Sequence, residues 1–219
     1  MVSSPKIKFC GLVSQDEVAF ACKNNIYWAG FIFVKGSIRF ISYENAKKII
    51  TNFKSKINFV GVFVNANNES ISLGTNAGIK FIQLHGEESP ERCEEIKNLF
   101  KLPIIKAIPI ESEVDLRNIE AYNEVCDYFL LDKKNNNKKG YNGGTGEIFD
   151  WNIIYKNKKW LSRCKPWILS GGLNINNIEK AIRLTETKAI DVSSGIEYNP
   201  GIKSMELMDL FATKVNSYK

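Results

Sequence analysis

Histidine is almost missing from this chain: His85 is the sole one among 219 residues. A catalytic metal is held by several imidazoles and carboxylates, so metal-assisted chemistry has few ligands to draw on here. Cysteine is sparse and unpatterned. The five, Cys10, Cys22, Cys93, Cys126 and Cys164, are odd in number, widely spaced and never in a CxxC arrangement, so neither a disulfide framework nor a zinc site is indicated and reduced thiols are expected. Long apolar runs are missing too. No stretch approaches the roughly 18 apolar residues of a membrane span, and the opening MVSSPKIKFCGLVSQDE lacks the apolar core of a signal peptide. A soluble, cytoplasmic protein with no membrane partner is expected.

What is present suits one domain. With 44% hydrophobic residues, the 219 residues provide a full-sized core and little room for a second unit, so a single domain over 1–219 is expected. The formal net charge is +6, but the lysines are scattered and often stand beside asparagines, as in the run 133–139. A nucleic-acid binder gathers its positive charge along one face with groove-reading or stacking motifs, and none is found, so no nucleic-acid partner is expected. A modest positive field still favours a small anionic substrate.

Apolar runs alternate with amphipathic stretches along the whole chain. Strands are predicted over Ile7–Cys10, Trp28–Val34, Asn58–Val64, Ile79–Leu84, Pro103–Ala107, Tyr128–Asp132, Trp167–Ser170 and Ala189–Val192. Several are continuously apolar, as buried parallel strands are. Between them Ser14 with Glu17 forms a capping-box pattern, and Ser89 before Pro90 marks another helix start. Inward faces are expected from Val18, Ala21 and Cys22; from Ile96, Leu99 and Phe100; from Ile178, Ala181 and Ile182; and from Leu207, Leu210 and Phe211. Further helices are expected around Val114–Tyr122 and Phe149–Tyr155. Eight strand-then-helix units fit an α/β protein with the (β/α)₈ TIM-barrel fold, and a doubly wound open sheet is the competing architecture. The polar connection 133–146, KKNNNKKGYNGGTG, is long for a compact domain and has the composition of a lid.

Two glycine-rich turns close the chain's last quarter, Ser170-Gly171-Gly172-Leu173 and Asp191-Val192-Ser193-Ser194-Gly195. Glycine lets backbone N–H groups converge on an anion, and the last two βα loops of such a barrel commonly hold a phosphate. Catalytic groups belong at the carboxyl ends of strands. Cys10, Arg39, His85 and Asp132 stand at or just beyond such ends, and strands one and six flank whatever the two turns hold.

The ordered set Lys8-Phe9-Cys10-Gly11-Leu12, Gly30-Phe31-Ile32-Phe33, Ser37-Ile38-Arg39-Phe40-Ile41-Ser42, Val60-Gly61-Val62-Phe63-Val64-Asn65, Gln83-Leu84-His85-Gly86, Leu131-Asp132 with Gly143-Gly144-Thr145-Gly146, and the two terminal turns, the second continuing through Ile196-Glu197, resembles the phosphoribosylanthranilate isomerase family over nearly the whole chain. The resemblance implies an aldose–ketose isomerisation in tryptophan biosynthesis: the Amadori rearrangement of N-(5-phospho-β-D-ribosyl)anthranilate to 1-(2-carboxyphenylamino)-1-deoxy-D-ribulose 5-phosphate. It assigns Cys10 as general base, Asp132 as general acid and Arg39 to the anthranilate carboxylate. His85 and Asp191 are placed around the substrate, and Gly171, Gly172, Ser193, Ser194 and Gly195 on its phosphate. Acid and base suffice for that reaction, so no cofactor and no metal are implied. A free thiol titrates near 8.5, so nearby donors or cations are expected to bring Cys10 down; Asp132 has to retain a proton near neutrality, which burial or the substrate phosphate favours.

One departure from the family stands out. Its usual Pro-x-Ser-Pro-Arg is here Gly36-Ser37-Ile38-Arg39 after Val34-Lys35, and a loop without two φ-fixing prolines is expected to be less pre-ordered. A ribulose-phosphate 3-epimerase is disfavoured by the lone histidine. An indole-glycerol-phosphate synthase would need strand-end lysine and glutamate, for which Lys106 alone is little. A barrel that binds a phosphate without turnover is the reading from a different class. The partner expected is a small phosphorylated substrate, with the protein a monomer or homodimer.

Overall fold

The computed structural model describes residues 4–134 and 146–218, so the lid expected over 133–146 lies almost wholly outside the described residues. Eight parallel strands close into a barrel in sequence order. They are β1 (Lys6–Cys10), β2 (Trp28–Ile32), β3 (Asn58–Phe63), β4 (Phe81–Leu84), β5 (Ile104–Ile110), β6 (Tyr128–Lys133), β7 (Trp167–Leu169) and β8 (Ala189–Val192). The ring closes where β8 pairs with β1, with Lys8 opposite Asp191 and Phe9 opposite Val192. The open-sheet alternative is thereby excluded.

Outside the ring lie α1 (Gln15–Lys23), α2 (Tyr43–Phe53), α3 (Asn68–Ala77), α4 (Pro90–Phe100), α5 (Glu113–Arg117), α6 (Ile119–Tyr122), α7 (Asn152–Leu161), α8 (Ile178–Thr185) and α9 (Met205–Asn216). Their starts are written locally. The Ser14 hydroxyl accepts from Glu17 N while the Glu17 carboxylate reaches back to Ser14 N, and Ser89 caps α4 ahead of Pro90; each such cap stabilises its helix by about 1 kcal/mol. An antiparallel hairpin, β9 (Glu197–Asn199) with β10 (Ile202–Lys203), follows the last strand and was not foreseen from sequence.

Side chains alternate across each strand, so the barrel has two cores. Phe9, Phe31, Phe59, Ile82, Phe129 and Ile190 face outward and pack under the helices. Trp28, Val60, Ile105, Leu130 and Ile168 face inward and fill the barrel, with Phe81 and Tyr128 against them.

The helix faces need correction in two places. Leu99 and Leu210, expected inward, are 56% and 45% exposed. The buried arc of α4 runs through Cys93 and Ile96 to the partly buried Phe100, and that of α9 through Met208, Phe211, Ala212 and Val215, which leaves each leucine one step beyond the edge. The helix expected around Val114–Tyr122 is split at Asn118 into α5 and α6. The one expected from Phe149 begins at Asn152, because Phe149 and Trp151 are buried in the core and Asp150 accepts from Asn152 N.

Candidate active site

The carboxyl ends of the strands surround a cavity of about 740 Å³, counting space open to solvent, which is the size of a small-molecule site. Cys10 and Asp132 both line it. In the ring, β7 and β8 stand between their strands, and the two glycine turns rise from there. Arg39, His85 and Asp191 also face this space, as do Gly171, Gly172, Ser193 and Ser194. On the opposite wall Ile32, Val34, Val62 and Val64 present an apolar surface.

Cys10 ends β1 two residues after Lys8, so both side chains point into the barrel. Lys8 is fully buried, and its Nζ donates to Asp191 Oδ1 at 2.9 Å. Burial works against the Lys8 charge, but Asp191 and the Cys10 sulfur outweigh it and hold the ammonium at about 12. Burial pushes the Cys10 thiol up from its ordinary value; Lys8 opposes that and Asp191 adds to it. The expectation of a lowered thiol pKa is therefore reversed. A strand-end sulfur inside a barrel loses more in hydration than the cation beside it returns.

On the other side, Gln83 in β4 and His85 just beyond its end stand at the same two-residue spacing. Gln83 Nε2 lies 2.8 Å from His85 Nδ1, and His85 Nε2 lies 3.2 Å from Asp132 Oδ2. The imidazole thus stands between the Gln83 amide and the Asp132 carboxyl. The other oxygen, Asp132 Oδ1, accepts from Lys133 N at 2.8 Å. Asp132 thus has a fixed orientation at the cavity wall.

Arg39 is buried and its fork is already engaged: Nε donates to Glu197 Oε1 at 2.6 Å and Nη2 to Oε2 at 2.8 Å. Glu197 also accepts from Lys203 Nζ at 2.7 Å and from Gly201 N at 3.0 Å. Burial would raise the Glu197 carboxyl, yet Arg39 and Lys203 overcome it and bring it down to about 2. The loop expected to be loose without its prolines is pinned otherwise. Ser37 N donates to Val34 O, Phe40 N to Ser37 O and Arg39 N to Ser37 Oγ, while the β9–β10 hairpin holds the guanidinium from beyond.

At the turns, Gly171 and Gly172 adopt φ of +85° and +61°, and a Cβ on Gly172 would press on the backbone of Glu147. Ser193 Oγ donates to the Cys10 carbonyl at 3.0 Å, which ties the second turn to the end of β1. Gly195 is not among the residues lining the cavity; a Cβ there would collide with the Leu173 carbonyl, so it serves the packing of one turn against the other.

Sequence reasoning passed over Lys8, Gln83, Glu197 and Lys203. Lys8 and Gln83 carried a signal in their two-residue offset from Cys10 and His85. Glu197 was visible only as the last residue of the run Asp191–Glu197, and Lys203 carried no signal, since the link from Arg39 through Glu197 to Lys203 depends on a hairpin far along the chain. Lys106, the residue that a synthase reading would need, is buried against Glu88 at 3.1 Å and the Gly86 carbonyl at 2.7 Å, away from the cavity lining.

Comparison with known proteins agrees with this geometry. The family model described as N-(5'phosphoribosyl)anthranilate (PRA) isomerase matches residues 7–214. An N-(5'-phosphoribosyl)anthranilate isomerase of Rhizobium etli is 36% identical over 97% of this chain and 95% of its own length. Its counterpart in Thermotoga neapolitana is 37% identical over 95% and 97%. Among solved structures, phosphoribosyl anthranilate isomerase of Thermotoga maritima superposes with a TM-score of 0.85 at 32% identity, covering 96% of this chain and 98% of that one. A phosphoribosyl anthranilate isomerase in complex with reduced 1-(o-carboxyphenylamino)-1-deoxyribulose 5-phosphate gives a TM-score of 0.82 at 30% identity over 96% and 98%. The chain belongs to the N-(5'-phosphoribosyl)anthranilate isomerase family.

Proposed function

We propose that this chain converts N-(5-phospho-β-D-ribosyl)anthranilate to 1-(2-carboxyphenylamino)-1-deoxy-D-ribulose 5-phosphate, with Asp132 as acid and Cys10 as base. The observation that carries the assignment is the shared cavity: thiol and carboxyl line one space on either side of the two glycine turns. The ribose phosphate sits on the turns at Gly171, Gly172, Ser193 and Ser194, where a concave backbone suits an anion. The anthranilate ring lies along Ile32, Val34, Val62 and Val64, and its carboxylate meets the part of the Arg39 guanidinium that Glu197 leaves free.

The steps follow from the positions. Asp132 gives its proton to the furanose ring oxygen; the C1–O bond breaks, and the anthranilate nitrogen lone pair forms a C1=N iminium. Cys10, as thiolate, takes the proton from C2, and that electron pair forms the C1=C2 bond of an enolamine while neutralising the iminium. The enolamine then loses its hydroxyl proton and gains one at C1, giving the ketose. No atom is added or removed overall, so placed proton donors and acceptors are what the reaction requires, without a metal or organic cofactor.

The chain works as a single barrel domain, a reading supported by the match over residues 7–214. Among the described residues no helix is long and apolar enough to cross a membrane. A cytoplasmic enzyme acting as monomer or homodimer, with no nucleic-acid partner, fits this picture; one solved relative is a monomer generated from a dimeric enzyme. The decisive experiment incubates the purified protein with phosphoribosylanthranilate in the presence of a chelator and looks for the isomeric ketose. Ketose formation is expected. Binding without product would instead indicate a module that kept the phosphate loops and lost turnover.

A further inference from the structure

A base at Cys10 has to exist as a thiolate inside a barrel, and the groups that face it decide whether it can. They are Lys8 on β1, Asp191 on β8, Lys203 on β10, and Arg39 in the loop after β2. Arg39 and Lys203 are both committed to Glu197. Lys8 is different. Its ammonium is out of contact with solvent, is held at 2.9 Å by Asp191, and lies on the same inward face of β1 as Cys10, two residues away. Space for the two side chains comes from Gly30 on β2: a Cβ there would stand 2.9 Å from Cys10 Sγ and 3.2 Å from Lys8 Nζ.

A buried lysine is costly to fold around, and an apolar side chain of the same length would fill the barrel at less cost. We infer that Lys8 is a positioning residue: the counter-ion that makes the Cys10 thiolate available, tethered by Asp191 in a slot that Gly30 keeps open. The inference rests on Cys10 being the base. With two acceptors, Lys8 stays charged in both states of the thiol. It shares its protons between sulfur and carboxylate before proton abstraction, and falls back on Asp191 once Cys10 carries the substrate proton. Asp191 thereby acts through Lys8, and its place at the cavity edge follows from that duty.

The test is the pH dependence of Cys10 alkylation by iodoacetamide in the full-length protein without substrate, read peptide by peptide so that other thiols do not interfere. Lys8→Met is expected to move the midpoint upward by about one pH unit or more, making alkylation about tenfold slower near neutrality. The rising limb of kcat/KM should move with it, and activity should return at alkaline pH. Asp191→Asn is expected to move the midpoint downward, because Lys8 then leans on sulfur alone. A folded Lys8→Met protein with an unmoved midpoint overturns the inference; if that variant does not fold, an unmoved or raised midpoint in Asp191→Asn does so. Alkylation needs no turnover, so the outcome is separable from the base assignment, which a fully active Cys10→Ala protein would remove.

Discussion

At the amino-terminal end of the barrel Trp28, Phe81 and Tyr128 meet edge to face with centroids 6.0 to 6.2 Å apart, and Lys6 lies 4.0 Å from the Tyr27 ring. At the carboxyl end the inward positions carry Gln83, His85, Asp132, Asp191 and Cys10. Strands β4 and β6 contribute to both ends. The floor is held by edge-to-face aromatic contacts and apolar burial, whereas the mouth gathers ionisable and amide groups whose partners lie at hydrogen-bond distance. Stability and chemistry are therefore separable along the barrel axis, and substitutions at the two ends should fail in different ways.

The largest effect should come from the mouth. Asp132→Asn removes the proposed general acid, and kcat is expected to fall by about 10²–10⁴ while far-UV circular dichroism stays that of the folded protein. A loss of helical signal together with activity would erase the distinction between the ends. The floor should respond in the opposite manner. Trp28→Ala empties the centre of an aromatic cluster and should cost about 3–5 kcal/mol in urea unfolding, with kcat per folded molecule retained. A smaller change is expected at Arg39→Lys, which cannot reproduce a planar fork. The loss in kcat/KM should be about 1.5–3 kcal/mol and should be expressed in KM, as the proposed ground-state binding of a carboxylate requires.

The smallest effect is one of pH. The Glu197 carboxyl is lowered from 4.5 to about 2 in the folded protein, so its pairing with Arg39 and Lys203 stabilises the fold in full above about 4.5. That share is lost as pH falls from there through 2, as the unfolded chain takes up the proton first. Thermal midpoints measured through this window should drop less steeply in Glu197→Gln than in the parent; equal slopes would mean that the clamp adds nothing to stability.

Much of the barrel was legible because buried parallel strands are written as continuous apolar runs and helix starts as Ser14 and Ser89 caps. The convergence of Cys10, His85, Asp132 and the glycine turns on one cavity was legible because side chains at the carboxyl ends of barrel strands face one mouth. What escaped depends on distance along the chain. Nothing near Arg39 announces Glu197, since the hairpin that carries it forms from residues 197–203, and the missing prolines suggested a loose loop where a distant carboxylate pins it. The sign of the Cys10 shift escaped for a related reason. Sequence shows the cations that lower a thiol pKa but not the depth of burial that raises it.

The pairing of β1 with β8 has a temporal side. Lys8 and Asp191, like Cys10 and Ser193, are separated by 183 positions, so none of these contacts exists until almost the entire polypeptide has been made and the last strand of the barrel has docked. A nascent or truncated chain holds the sulfur without the carboxylate that steadies its neighbouring ammonium. Enzymatic competence in this molecule is thus a late event, acquired with the closing seam and lost with it.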